Sequence, residues 1–258
     1  MSEHVLVAAD GPIVTITLNR AEKLNAFTLE MLAALEAACA RIERDDAVRA
    51  VIVASSSPKA FCAGADIVDW GPLGPLGMWA QWIRDGHRVF GRVARLRQPT
   101  IAAVGGIAFG GGLELALACD IRIASDTARF GLPEVTIGAI PGWAGSQRLP
   151  RLIGVGRAKH LMLTGQPIDG ATAGAWGLAS EVVPADRLMP RALELARRIA
   201  ENAPTAVQAV KQLADAAAGE GIETTLESLA AGFAAGTEDA REGVAAFRAK
   251  RKPKFTGK

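Results

Sequence analysis

Ile101-Ala102-Ala103-Val104 and Ile121-Arg122-Ile123-Ala124 have the character of short buried strands, and between them lies Gly110-Gly111-Gly112-Leu113-Glu114-Leu115-Ala116-Leu117-Ala118, a helix led in by glycines. Upstream, Val51 to Ala54 is another buried strand, and Val5 to Ala9 and Ile13 to Leu18 are two β-branched runs split by the turn Asp10-Gly11-Pro12. Leu29 to Glu43 carries Leu29, Leu32, Leu35, Cys39 and Ile42 near a helical period, with Thr28 placed to cap its start. Strands alternating with helices predict an α/β domain.

The pattern changes after Val183. Leu188 to Ala200, Ala203 to Ala217, Ile222 to Ala235 and Glu238 to Lys250 are four successive helical patterns without a strand among them. Pro190 falls in the first turn of the first, where its missing N–H costs little. The expected division is an α/β core over 1–183, carrying the active site, and a helical region over 184–258. Helices with apolar faces and no sheet of their own should cover that core or a neighbouring subunit. Trp70 to Trp79, rich in Gly, Pro and large apolar residues with Trp82 close behind, reads as a loop walling an apolar pocket.

With half its 258 residues hydrophobic and 22% charged, the chain has a globular composition, which excludes disorder. A net charge of +2, without interleaved aromatic and basic residues, gives no case for nucleic acid or an anionic membrane. Arg248, Lys250, Arg251, Lys252, Lys254 and Lys258 gather at the C-terminal end, as a solvated tail or as a site for an anionic ligand. No signal peptide and no apolar run of bilayer length is present, so a cytoplasmic protein is expected. Cys39, Cys62 and Cys119 lack metal-ligand spacing and read as reduced core thiols; His4, His87 and His160 are scattered, and no metal site is expected.

Glu114 and Glu134 are lone carboxylates in otherwise apolar runs. Burying an ionised carboxylate costs several kcal/mol unless it is paired, so two of them near a glycine-rich turn point to an acid/base pair. The amides of Gly110 to Gly112 form the positive end of a helix, suited to an oxygen that gains charge during reaction. The glycine order is neither GxGxxG nor a P-loop. A second small-residue turn, Phe61-Cys62-Ala63-Gly64-Ala65-Asp66, could offer another N–H to the same oxygen. The plainer alternative makes Glu114 a first-turn helix acid and Glu134 a loop carboxylate paired with an arginine.

Leu18-Asn19-Arg20 with Leu24-Asn25-Ala26, Ala60 to Asp66, Ala108 to Leu115, Phe130 to Glu134, Ile140 to Leu149 and Glu238 to Arg251 together resemble the enoyl-CoA hydratase/isomerase (crotonase) family over nearly the whole chain. The resemblance implies a crotonase-like spiral of ββα units with a C-terminal helical trimerisation region, assembled as a homotrimer or a dimer of trimers. It implies an acyl-CoA substrate, with no cofactor beyond the CoA that the substrate carries. The backbone N–H groups of Ala65 and Gly111 would form the oxyanion hole, and Glu114 and Glu134 match the two catalytic glutamates. Lys23, Leu24, Ala63, Asp66, Ile67, Phe247 and Lys250 match CoA-binding positions, while Pro141, Gly142 and Trp143 lie on the turn that lines the acyl pocket. Val68 stands where several of the family's hydratases carry a lysine. Both glutamates together favour hydration of a 2-enoyl thioester. The alternatives are a Δ3-Δ2 enoyl-CoA isomerase using Glu134 as its main base, another acyl-CoA-processing crotonase, and a non-catalytic CoA- or RNA-binding homologue.

Overall fold

A computed structural model describes residues 3–258. β1 (Val5–Asp10) and β2 (Ile13–Leu18) form an antiparallel hairpin, followed by α1 (Leu29–Arg44), β3 (Ala50–Ser55) and β4 (Ala60–Cys62). Then come α2 (Ile67–Trp70), α3 (Pro75–Gly77), a π-helical turn Met78–Trp82, α4 (Ile83–Ala94), β5 (Thr100–Val104), β6 (Ile107–Phe109) and α5 (Gly111–Ala118). β7 (Ile121–Ser125), β8 (Arg129–Gly131), α6 (Gly145–Ile153), α7 (Val155–Thr164), β9 (Ile168–Asp169), α8 (Gly170–Trp176) and β10 (Glu181–Val183) follow. The chain ends in α9 (Leu188–Ala200), α10 (Pro204–Ala217), α11 (Ile222–Ala235) and α12 (Glu238–Arg248).

Two sheets result, a six-stranded one in the order β1-β2-β3-β5-β7-β10 and a four-stranded one in the order β4-β6-β8-β9. Successive strand pairs β3–β4, β5–β6 and β7–β8 each give one strand to the large sheet and the next to the small one, the ββα spiral that the resemblance implies. The central strands β3 and β5 of the large sheet are buried on both faces, so they read as continuous apolar runs. Alternation sorts the side chains. Val51 and Val53 join the core with Leu35, Phe90 and Leu115, whereas Ala50, Ile52 and Ala54 turn to the other face and meet Leu188, Ala192 and Ala196 of α9.

Thr28 caps α1 as expected, its hydroxyl accepting the Met31 N–H at 3.2 Å. Leu29 does not join the buried face, being the first helical residue, and Met31 and Ala38 complete it. Residues 70–79 are not a plain loop, because short helices form between the breakers and Pro75 sits at a first helical position that tolerates it. The helix α4 was hidden in the sequence by Gly86 on its buried face. A Cβ there would lie 2.1 Å from the Trp143 indole nitrogen.

The chain divides into two compact units, Met1–Gln208 and Ala209–Lys258, and α9 belongs to the first. In the second, the C-terminal tail is tied back onto α12. Asp239 accepts the N–H groups of Thr256 and Gly257 at 2.6 and 2.7 Å, and Glu242 is gripped by Arg251 and by the Lys254 N–H. Val210, Leu213, Leu226, Phe233, Val244 and Phe247 of this unit are exposed. Among the described residues, no helix is long and apolar enough to cross a membrane, and Cys39, Cys62 and Cys119 are buried free thiols.

α5 is buried along its whole length, so its last carbonyls cannot turn to water. Arg122 supplies the donors, reaching Cys119 O at 2.5 Å and Ala116 O at 3.4 Å while its Nε bonds Leu178 O at 2.8 Å. Arg122→Met keeps the stem and removes the donors, and it should cost about 3 kcal/mol in a urea titration because buried acceptors lose their partners. A midpoint equal to that of the unaltered protein would show that α5 does not depend on this cap.

Candidate active site

The small sheet builds the site. β4, β6 and β8 run parallel, with Cys62 opposite Ala108 and Phe109 opposite Gly131, so their C-terminal ends lie side by side. From these ends leave three turns: Ala63 to Asp66, Gly110 into α5, and Leu132 to Glu134. Three distant pieces of sequence therefore meet at one edge.

The first two turns are in contact. A Cβ on Gly64 (φ +116) would lie 3.6 Å from the Gly111 nitrogen, and one on Gly111 would lie 3.6 Å from the Ala65 nitrogen. Residues 24–27 fix which way the Ala65 amide faces. Phe27 N–H donates to Gly64 O at 2.7 Å and Asp66 N–H donates to Phe27 O at 2.8 Å, in an isolated parallel bridge of Phe27 with Ala65. Because an extended chain points successive N–H groups to opposite sides, the Ala65 N–H faces away from that bridge, and its nitrogen lies near Gly111. Gly111 opens α5, so its N–H has no carbonyl partner within the helix and lies at the positive end of the dipole. Gly110 takes φ +51 and ψ −126, a conformation open to glycine.

Glu114 follows one turn into α5 and is 2% exposed. Its Oε1 accepts the N–H groups of Trp143 and Gly145 at 2.7 and 2.8 Å. Both amides can reach one oxygen because the intervening Ala144 is left-handed (φ +79, ψ +13), an unusual state for an alanine. Burial raises the Glu114 pKa to about 7 against the pull of those two hydrogen bonds, and the Glu134 charge adds to the rise. Glu134 begins a single 3₁₀ turn, with its Oε1 3.0 Å from where a Cβ on Gly110 would be. Its Oε2 is buried without a hydrogen bond, and desolvation raises its pKa too. Glu114 does stand in the first turn of α5, with the Arg148 charge pulling its pKa down, whereas Glu134 forms no ion pair with an arginine among the described residues, so only the first half of the plainer reading fits.

The remaining expected residues fall into three groups. Lys23, Leu24, Ala63, Asp66 and Ile67 line the strap-and-turn edge beside the Ala65 amide, and the Ala63 N–H donates to Leu24 O at 2.9 Å. The Asp66 carboxylate is already engaged, accepting the Val68 N–H at 3.0 Å and Arg20 Nη1 at 2.6 Å; Arg20 holds its pKa below the usual carboxylate range. Trp143, with Pro141 and Gly142 before it, is a buried wedge and not an open wall. Its ring is 2% exposed, with Phe27, Trp82 and Phe90 around it at 5.0–6.3 Å, and it presses on Gly86 and Gly111. Phe247 and Lys250 lie in the second compact unit. Sequence reasoning missed Arg20, Asn25 and the 143–145 clamp on Glu114. Arg20 and Asn25 stood in a quoted motif without a role, and an alanine in the left-handed region leaves no mark in sequence.

Known proteins resemble this chain over nearly its whole length. A profile of the enoyl-CoA hydratase/isomerase family matches residues 9–258. The chain is 42% identical over 251 residues to the short-chain-enoyl-CoA hydratase of Clostridium acetobutylicum, covering 96% of each, and 44% identical over 257 residues to a probable enoyl-CoA hydratase of Rhizobium meliloti, covering 98% of each. Among solved structures, the enoyl-CoA hydratase of Bacillus anthracis superposes with a TM-score of 0.83 at 39% identity, over 99% of this chain and 100% of that one.

The Glu114 pKa gives a stability prediction with a definite sign. The folded protein keeps a proton on Glu114 up to about pH 7, whereas the unfolded chain releases it near 4.5. Stability from this group is therefore complete below about 4.5 and is lost as pH rises to about 7, a span of about 3 kcal/mol. Glu114→Gln does not ionise, so its stability relative to the unaltered protein should rise by about that amount across the window, measured by urea unfolding. A difference that does not vary with pH would show that Glu114 titrates normally in the folded protein.

Proposed function

The chain belongs to the enoyl-CoA hydratase/isomerase family, and from that membership we propose that it is an enoyl-CoA hydratase, adding water across the 2,3-double bond of a 2-enoyl-CoA to give a 3-hydroxyacyl-CoA. The observation that carries the reading is the meeting of the Ala65 and Gly111 amides with two desolvated carboxylates at the ends of β4, β6 and β8.

The thioester oxygen sits between the Ala65 and Gly111 N–H groups. When water adds at C3, charge moves through the conjugated system onto that oxygen. Fixed donors and the α5 terminus stabilise this enolate-like state more than the ground state, which lowers the barrier. Each such donor is worth about 3 kcal/mol in comparable sites. The 143–145 clamp holds Oε1 of Glu114, leaving Oε2 to orient the water. Glu134, its Oε2 buried and unpaired, takes a proton from that water and delivers one to C2. Oxygen ends on C3, a proton ends on C2, and no electrons leave the system. The reaction thus needs no cofactor beyond the CoA of the substrate.

Lys23, Leu24, Ala63, Asp66 and Ile67 follow the CoA moiety, Asp66 through its backbone because its carboxylate is occupied. In the family's register Phe247 and Lys250 match positions for the adenine end, and Pro141 and Gly142 bound the acyl group, with Trp143 buried beside them. Residues 1–183 hold the catalytic core, and 184–258 form the assembly region of a homotrimer or a dimer of trimers in the cytoplasm. The exposed apolar residues of the second unit support that assembly.

With crotonyl-CoA, loss of the conjugated-thioester absorbance should be fast, and Glu114→Gln and Glu134→Gln should each slow it by about 10²–10⁴-fold. No loss in the unaltered protein, with turnover of a 3-enoyl thioester that survives Glu114→Gln, would replace hydration by isomerisation.

A further inference from the structure

Residues 20–27 are held more tightly than a surface connection requires. Leu24 and Asn25 are successive left-handed residues, at φ +51 and +57, where L side chains are disfavoured. A network around the fully buried Asn25 keeps them there. Asn25 Oδ1 accepts the Arg20 N–H at 2.7 Å, and its Nδ2 donates to Ser55 Oγ at 2.7 Å and Phe61 O at 3.1 Å. Arg20 then reaches across, its Nη1 donating to Asp66 Oδ2 at 2.6 Å and to Ala26 O at 3.0 Å. Both charged side chains are mostly covered, at 15% and 12% exposure, whereas Glu22, 4.0 Å from Arg20 Nε, is open to solvent.

The strap so formed bonds every residue around Ala65. Ala63 N–H goes to Leu24 O, Gly64 O takes the Phe27 N–H, and Asp66 is held by both its N–H and its carboxylate. The contact within the turn itself is weak, a Gly64 N–H to Cys62 Sγ at 3.4 Å. We propose that Arg20 and Asp66 act as a positioning pair that sets the direction of the Ala65 amide, and hence the strength of the oxyanion hole. The proposal rests on the reading of Ala65 and Gly111 as that hole. Neither side chain touches the reacting atoms; they act through the backbone between residues 63 and 66. A donor of this kind must lie within about 2.7–3.1 Å of the charge it stabilises, and a misplacement of about 1 Å can cost on the order of 10²-fold in rate.

Two measurements on the full chain test the pair. Crotonyl-CoA hydration gives kcat and KM, and the infrared stretch of butyryl-CoA labelled with ¹³C at its carbonyl reads the hole without turnover. In the unaltered protein the bound stretch should fall below its solution value. In Asp66→Asn, which keeps its size and the Val68 N–H contact, and in Arg20→Gln, the stretch should move back toward solution and kcat should fall about 10- to 100-fold, well beyond any change in KM or butyryl-CoA affinity. The double variant should be no worse than the poorer single one, as expected for two groups acting as a unit. An unmoved stretch with lower kcat would overturn the proposal, as would a loss confined to KM and affinity. If Arg20→Gln does not fold, Asp66→Asn and Arg20→Lys decide by the same readouts. No shift in the unaltered protein would remove the oxyanion hole itself and the proposal with it.

Discussion

A methyl group at position 112 would lie 2.0 Å from the Cys62 carbonyl oxygen, so α5 rests where it does only because Gly112 has no side chain. That contact brings the start of the helix against the end of β4 and sets the Gly111 amide beside that of Ala65. A larger residue would push the helix away from the strand, and no side-chain movement could relieve it, since the obstacle is backbone. The same closeness buries Glu114 one turn later and obliges Arg122 to satisfy the far end of the helix. Position, charge and burial at the site all follow from one absent Cβ.

Desolvation raises the pKa of both glutamates, but their hydrogen-bonding surroundings differ. Glu114 is held by two backbone donors that favour its ionised form, yet burial outweighs them and brings its pKa to about 7. Glu134 has an oxygen with no partner at all. One carboxyl is therefore fixed in place by two backbone donors, and the other keeps one oxygen without a hydrogen bond. The clamp on Glu114 needs a strained Ala144, and that strain lies where the chemistry needs two amides aimed at one oxygen.

Much of the fold was legible because its signals are local. The hairpin at Asp10-Gly11-Pro12, the capped α1 and the strands around Val51, Ile101 and Ile121 follow from turn residues and periodicity within a few positions. The two glutamates stood out as charges in apolar runs. What stayed hidden depends on contacts between distant residues. The three-residue strands β4, β6 and β8 are too short to show a period, though they assemble the site. Gly86 disguised the buried face of α4, because the group that fills its place, Trp143, comes from far along the chain. Asn25 looked like an ordinary turn residue, whereas it joins three elements from full burial.

The covering of the large sheet by α9 has a consequence for how the chain reaches this structure. Ile52, Ile101 and Ile123 become available early in synthesis, but Leu188, Ala192 and Ala196, which close that face, come from the ribosome much later. During that interval the growing chain carries an uncovered apolar face on strands that pair in parallel across long sequence separations. Such a nascent chain is sticky and slow to mature, the state that chaperones recognise. A ribosome stalled before α9 would leave a polypeptide containing the small sheet and both buried glutamates but lacking the cover that keeps its large sheet from its neighbours.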